Sequence, residues 1–113
     1  LQEIQLLQGH FPRNIRLFCA EDGQGVQGGI LVFDCGPCVH IQYMATTEEG
    51  RANGALDLIV QHLLAEVFAD RQWLHFGISS TEGGRCLNVG LSRQKEMFGA
   101  RSTVYQQYRW QLI

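Results

Sequence analysis

The chain has 113 residues, the size of one domain, and 45% hydrophobic with 18% charged residues is a globular composition. Nine Lys plus Arg against eleven Asp plus Glu leave a formal charge of −2 with His neutral, which argues against the clustered basic surface of a nucleic-acid binder. No apolar run approaches the ~20 residues of a membrane helix, and no basic and apolar leader follows Leu1, so the expectation is a cytoplasmic domain without a membrane partner.

Residues 1–8 carry Ile4 and Leu7 at helical spacing and read as the tail of a helix ending near Gly9. Over residues 14–20, Ile15, Leu17 and Cys19 alternate, which predicts a strand. A turn over 21–25 precedes a second strand, 26–34, in which Gly28-Gly29 marks a bulge or a close backbone approach. A third strand, 38–46, completes an antiparallel meander. The period then changes. Leu56, Ile59, Val60, Leu63, Leu64, Val67 and Phe68 form one apolar stripe, so residues 54–70 read as an amphipathic helix with Asn53 as N-cap and Asp57 in the first turn. Residues 73–79 predict a strand, residues 86–98 a second helix stopped by Gly99, and residues 102–111 a closing strand. The order is α-β-β-β-α-β-α-β.

The spacing Cys35-Gly36-Pro37-Cys38 is that of thioredoxin-type dithiols, which sit between a strand and a helix. Here a strand follows, no Pro comes later to face the thiols, and Cys19 and Cys86 are too isolated to complete a zinc site. The segment reads as a hairpin tip with no metal.

Chemistry is most expected at residues 43–55, where a strand ends, a polar loop with two glycines follows and the amphipathic helix begins. Free N–H groups at such a helix start bind anions, Gly54 lets a ligand approach the backbone, and Arg51 adds positive charge. The alternative is that Arg51 and Gly54 only shape an exposed loop.

A three-stranded meander, then Arg51-x-x-Gly54-Ala55, helix, strand, helix and strand resembles the acyl-CoA-binding part of the GNAT acyltransferase superfamily. The family loop is Arg or Gln, two residues, Gly, one residue, then Gly or Ala; Arg51 and Gly54 match, whereas the sixth position is Leu56 with Ala55 one place early. Residues 75–79, 87–91 and 94–101 look like the Fem-type and related acetyltransferase branch. The resemblance covers most of residues 14–111 and implies an α/β (α+β) fold with a mixed, mostly antiparallel sheet and two main helices. It implies acetyl-CoA or another acyl-CoA as cosubstrate, no metal, and an enzyme that moves the acyl group to an amine on a small molecule or peptide. The implied cofactor contacts are Met44, Ala45, Arg51, Asn53, Gly54, Ala55, Asn88 and Lys95, with the thioester lying where the strand before the loop splays from the next one.

Many family members place a Tyr acid where this chain has Lys95, which leaves the proton donor to the thiolate open. A Lys beside cofactor phosphates would have its pKa raised and would bind rather than catalyse. His40, Gln42 and Tyr43 are the candidates to handle the acceptor amine, although on a straight strand His40 and Gln42 share one face and Ile41 and Tyr43 the other, so all three cannot serve one pocket. His10, His62 and His75 show no partners in sequence and receive no role. Only a helix end precedes the meander, so the resemblance implies the C-terminal portion of a longer protein, or a half-domain completed by a preceding domain or a homo-oligomer. Two alternatives stand beside the acyltransferase: a Fem-type transferase using an aminoacyl-tRNA donor, and a non-catalytic GNAT-like half-domain.

Overall fold

Alternation of apolar residues becomes a sheet where three strands find one another in succession. In the computed structural model, which describes all 113 residues, α1 (Gln2–His10) leads into β1 (Ile15–Asp22), β2 (Gly25–Asp34) and β3 (Cys38–Thr46). The three are antiparallel neighbours, and β4 (Trp73–His75) adds to β3 in parallel. The meander thus forms as expected. Two compact units divide the chain, Leu1–Ile78 and Ser79–Ile113.

In the first unit, directly opposed residues share a sheet face. Ile30 lies opposite Phe18 and Met44, Val32 opposite Arg16 and Ile41, and Val39 opposite Leu74. Ile30, Val32, Val39 and Ile41 are buried there, beneath a helix whose own Ile59, Val60 and Leu63 are buried too. Each such side chain contributes about 1.5–3 kcal/mol by leaving water. That helix is α3 (Ala55–His62), extended by a π-helical turn over Leu63–Val67, where the Phe68 N–H donates to the Leu63 carbonyl at 2.8 Å. The wider turn lets Leu63 and Phe68 both face the sheet and leaves Leu64 exposed, so the helix expected over 54–70 ends at Val67 and one member of its stripe turns outward. Phe68 meets Phe18 edge-on with ring centroids 6.0 Å apart, and the guanidinium groups of Arg16 and Arg71 lie over the Phe68 ring.

The Cys35–Cys38 segment is a hairpin tip, with four free cysteines in the chain. Gly36 has φ +84°, its N–H donates to Asp34 Oδ1 at 3.1 Å, and the Cys35 N–H donates to the Cys38 carbonyl at 3.0 Å. Arg71 clamps this tip, donating to both Asp34 oxygens at 2.7 and 3.0 Å and to the Gly36 carbonyl at 2.6 Å.

Two corrections fall in this unit. The loop before α3 contains a short helix, α2 (Glu48–Ala52), capped by Thr47 Oγ1, which accepts from the Gly50 N–H at 2.9 Å. Asn53 therefore ends α2, and Gly54, at φ +75°, stands at the N-cap of α3 where Asn53 was expected. The strand expected over 73–79 stops at His75, because Gly77 turns at φ +79° and its N–H bonds back to His75 Nδ1 at 3.1 Å.

In the second unit, β5 (Ser80–Thr81) and β6 (Cys86–Leu87) form a small antiparallel pair around a 3₁₀ turn at Glu82–Gly84, followed by α4 (Val89–Met97). The helix expected over 86–98 starts three residues late because Cys86 and Leu87 pair with Thr81 and Ser80, and Asn88 then caps α4. Gly99, at φ +91°, ends it as expected. The closing strand over 102–111 does not form: these residues are exposed and without regular structure, since alternation alone supplies no ladder partner. No helix of the chain is long and apolar enough to cross a membrane.

Candidate functional site

The parallel β3–β4 ladder has three rungs, Cys38↔Trp73, Val39↔Leu74 and His40↔His75. Beyond them β3 runs on through Ile41–Thr46 with a strand partner on its β2 side only. The β3–β4 ladder stops at the level of His40, with Gly77 still close to Ile41.

At that level β3 carries a bulge. Leu31 opposes Tyr43 while its neighbour Val32 opposes Ile41, which leaves Gln42 as the extra residue. The bulge corrects the facing inferred from simple alternation. His40 opposes Phe33 and Tyr43 opposes Leu31, two positions apart on β2, so His40 and Tyr43 come to the same face, away from α3. His75 shares that face as the parallel partner of His40. The two imidazoles meet edge to edge with their planes 27° apart and centroids 5.2 Å apart, and their Nδ1 atoms are 3.0 Å apart. Phe33 flanks His40 with centroids at 6.4 Å. Ala45 lies on the same face, opposite Gly29, whereas Met44 opposes Ile30 on the face covered by α3.

From the end of β3 the chain enters the helix starts. The Gln27 carbonyl accepts from the Thr47 N–H at 3.0 Å and from Thr46 Oγ1 at 2.9 Å, which pins the junction to a bulge in β2. Gly50 is obligatory here, since a Cβ would lie 2.1 Å from the Gln27 carbonyl oxygen. Arg51, Asn53, Gly54 and Ala55 follow as one segment: Arg51 and Asn53 exposed, Ala55 buried with its Cβ beside Gly28. No side chain caps α3, whose first N–H groups lie beside Gly54. A carboxylate already stands there. Asp57 Oδ2 lies 3.6 Å from the point where Gly54 would carry a Cβ, and Glu48 and Glu49 open α2 nearby in sequence. These charges oppose a phosphate, while exposed Arg51, which forms no ion pair, attracts one.

Asn88 and Lys95 belong to the second unit. Asn88 Oδ1 caps α4 by accepting from the Leu91 N–H at 3.0 Å, a structural task that occupies this oxygen. Lys95 is 7% exposed, and its Nζ donates to Ser79 Oγ at 3.0 Å. Burial pushes its amine below the ordinary lysine value, the reverse of the rise expected beside phosphates.

The residue that sequence reasoning left out is His75. Nothing in a one-dimensional pattern gives the register of a parallel pair whose members are 35 residues apart. The weak signal available was a His at the end of a strand followed by Phe76-Gly77.

No protein-family model and no curated protein matches the sequence. Among solved structures the chain is similar to the ribosomal-protein-alanine N-acetyltransferase from Brucella melitensis biovar Abortus 2308, with a TM-score of 0.51 and 14% identity, over 88% of this chain and 72% of that one. At this identity the likeness establishes the fold alone: a mixed, mostly antiparallel α/β architecture shared with that protein.

Proposed function

We propose that this chain is the acyl-CoA-handling part of an N-acyltransferase that moves an acyl group to an amine on a small molecule or peptide. The observation that carries the reading is the β3–β4 ladder, which stops after three rungs beside a bulge in β3, on the strand that runs on to α2 and the start of α3. A thioester laid along β3 past that point would meet strand N–H groups that stabilise the developing oxyanion. In the reaction His40 takes a proton from the acceptor ammonium. The freed amine nitrogen forms the C–N bond, the C–S bond breaks, and the thiolate leaves. The nitrogen gives up a second proton and the thiolate takes one, so the balance is one proton released per turnover. Tyr43 lies on the His40 face to orient the acceptor. Met44 and Ala45 are assigned to the pantetheine arm, and Arg51, Asn53, Gly54 and Ala55 to the pyrophosphate. Asn88, through its amide N–H₂, and Lys95 complete the set assigned to acyl-CoA. The Fem-type donor is the less supported alternative, because a chain of formal charge −2 offers little to a tRNA.

Calorimetry with CoA, paired with turnover of acetyl-CoA against simple amines, tests this. The expected result is measurable binding that Arg51→Ala weakens about tenfold with little change in Tm, as for loss of one charged hydrogen bond. Absence of heat at millimolar CoA, together with absence of turnover, would overturn the reading. One observation favours a second reading, a GNAT-like lobe without catalysis: the Asp57 carboxylate beside Gly54, where the first reading needs a phosphate.

A further inference from the structure

The His40–His75 contact fixes protons as well as rings. The backbone N–H of Gly77 can only donate, and it donates to His75 Nδ1 at 3.1 Å, so that nitrogen carries a lone pair. His40 Nδ1 lies 3.0 Å from the same atom. Two lone pairs do not face each other at hydrogen-bond distance, so the hydrogen between the rings sits on His40 Nδ1. The other nitrogen of a neutral His40, Nε2, is then the one with a free lone pair. The near-coplanar edge contact with His75 and the flanking Phe33 ring hold the imidazole plane in place. No carboxylate lies within ion-pair distance of His40, so the orienting task that an acidic side chain often performs for a histidine base has no acidic candidate here.

We propose that His75 is the positioning residue of this site: held as an acceptor by the Gly77 N–H, it locks His40 as the Nδ1–H tautomer and so presents His40 Nε2 as the base for the acceptor amine. Gly77 belongs to the device. Its φ of +79° returns the N–H to His75, and a Cβ there would both strain the backbone and stand 3.7 Å from His40 Cε1. When Nε2 takes a proton from the ammonium, the Nδ1 proton stays on its bond to His75, so the ring does not reorient during the cycle. The assignment of His40 Nε2 as base rests on the acyltransferase reading; the tautomer does not.

The test uses the full chain, labelled with ¹⁵N, at a pH where histidine is neutral. Long-range ¹H–¹⁵N correlation is expected to show His40 with a pyrrole-type Nδ1 and a pyridine-type Nε2. His75→Phe keeps an aromatic ring but cannot accept, and is expected to return His40 to a mixture of tautomers. In the same variant kcat is expected to fall about tenfold or more while KM for acyl-CoA stays within about twofold, because an oriented proton acceptor acts in the chemical step. His75→Asn restores an acceptor oxygen and is expected to recover most of kcat. A His40 proton on Nε2 in the parent protein, or a His75→Phe spectrum in which the His40 tautomer is unchanged, would overturn the proposal. So would a His75→Phe variant with full kcat in a protein whose His40→Ala variant is inactive. Failure of the parent to turn over any acyl-CoA instead removes the acyltransferase reading, and the tautomer spectra then decide the His75 assignment alone.

Discussion

The two faces of the four-stranded sheet come from the same residues in alternation and end as different surfaces. One face, under α3, holds Ile30, Val32, Val39 and Ile41, none more than 3% exposed. The other carries His40, His75, Tyr43, Cys19 and Leu17, and of these Leu17 and Tyr43 are more than half exposed. The difference teaches where specification resides. The closed face is set by burial and tolerates little change, whereas the membership of the open face is set by the bulge at Gln42; were Gln42 paired in regular alternation, Tyr43 would turn toward α3.

The largest expected effect is at the corner of the closed face. Gly50→Ala puts a Cβ 2.1 Å from the Gln27 carbonyl oxygen and 2.7 Å from Thr46 Oγ1, contacts that backbone cannot yield to cheaply. A loss of about 4 kcal/mol or more is expected, a large share of the roughly 5–15 kcal/mol that holds a folded domain together. Urea denaturation measures it; a Gly50→Ala chain as stable as the parent would show that this junction is not fixed. Next comes the direct comparison of faces. Ile30→Ala is expected to cost about 2–5 kcal/mol, and Leu17→Ala within about 0.5–1 kcal/mol. Equal costs would mean that both faces are closed in solution.

A smaller effect is a pH dependence from the second unit. Burial holds the folded-state pKa of Lys95 below its unfolded value of 10.5, so between the two the unfolded chain binds more protons and stability rises with pH. Below the folded value both states are protonated and the cost of the buried charge is complete. Thermal melts from neutral pH toward 10 are expected to show this rise, and Lys95→Met is expected to abolish it while raising stability at neutral pH. The smallest expected effect is at the start of α3. Asp57→Asn removes the carboxylate beside Gly54, and on the pyrophosphate reading it lowers KM for acyl-CoA about two- to fivefold, the size of one partly screened charge interaction. A rise in KM would place the phosphates elsewhere.

Much of the first unit was legible because its information is local. Val39 and Ile41, Ile30 and Val32 alternate where strands form, and Ile59, Val60 and Leu63 repeat where a helix forms. The short α2 was legible in principle, since Thr47 three residues before Gly50 with Glu48 and Glu49 between them is a helix-start signature, but the glycines masked it. What could not be read was pairing. The bulge at Gln42, the three-rung limit of β4 and the contact of His40 with His75 all depend on which residue of one strand meets which residue of another. Alternation at 102–111 shows the same limit from the other side: Val104, Gln106 and Tyr108 repeat with a strand period and no strand forms.

The thioredoxin-like spacing at the hairpin tip finds its use in this dependence on pairing. The Pro37 carbonyl accepts from the N–H groups of both Gln72 and Trp73 at 3.1 Å, and Arg71 grips Asp34 and Gly36 beside it. These bonds set the phase in which β4 arrives. A slip by one residue would set Leu74 or Phe76 against His40 and dissolve the imidazole pair without removing a single strand. The grip spans 37 residues and the imidazole pair 35, so both depend on closing a long loop, a cost that the local hairpins of the meander do not carry. A chain that keeps its hairpins has still to dock one tripeptide in phase before it has that pair.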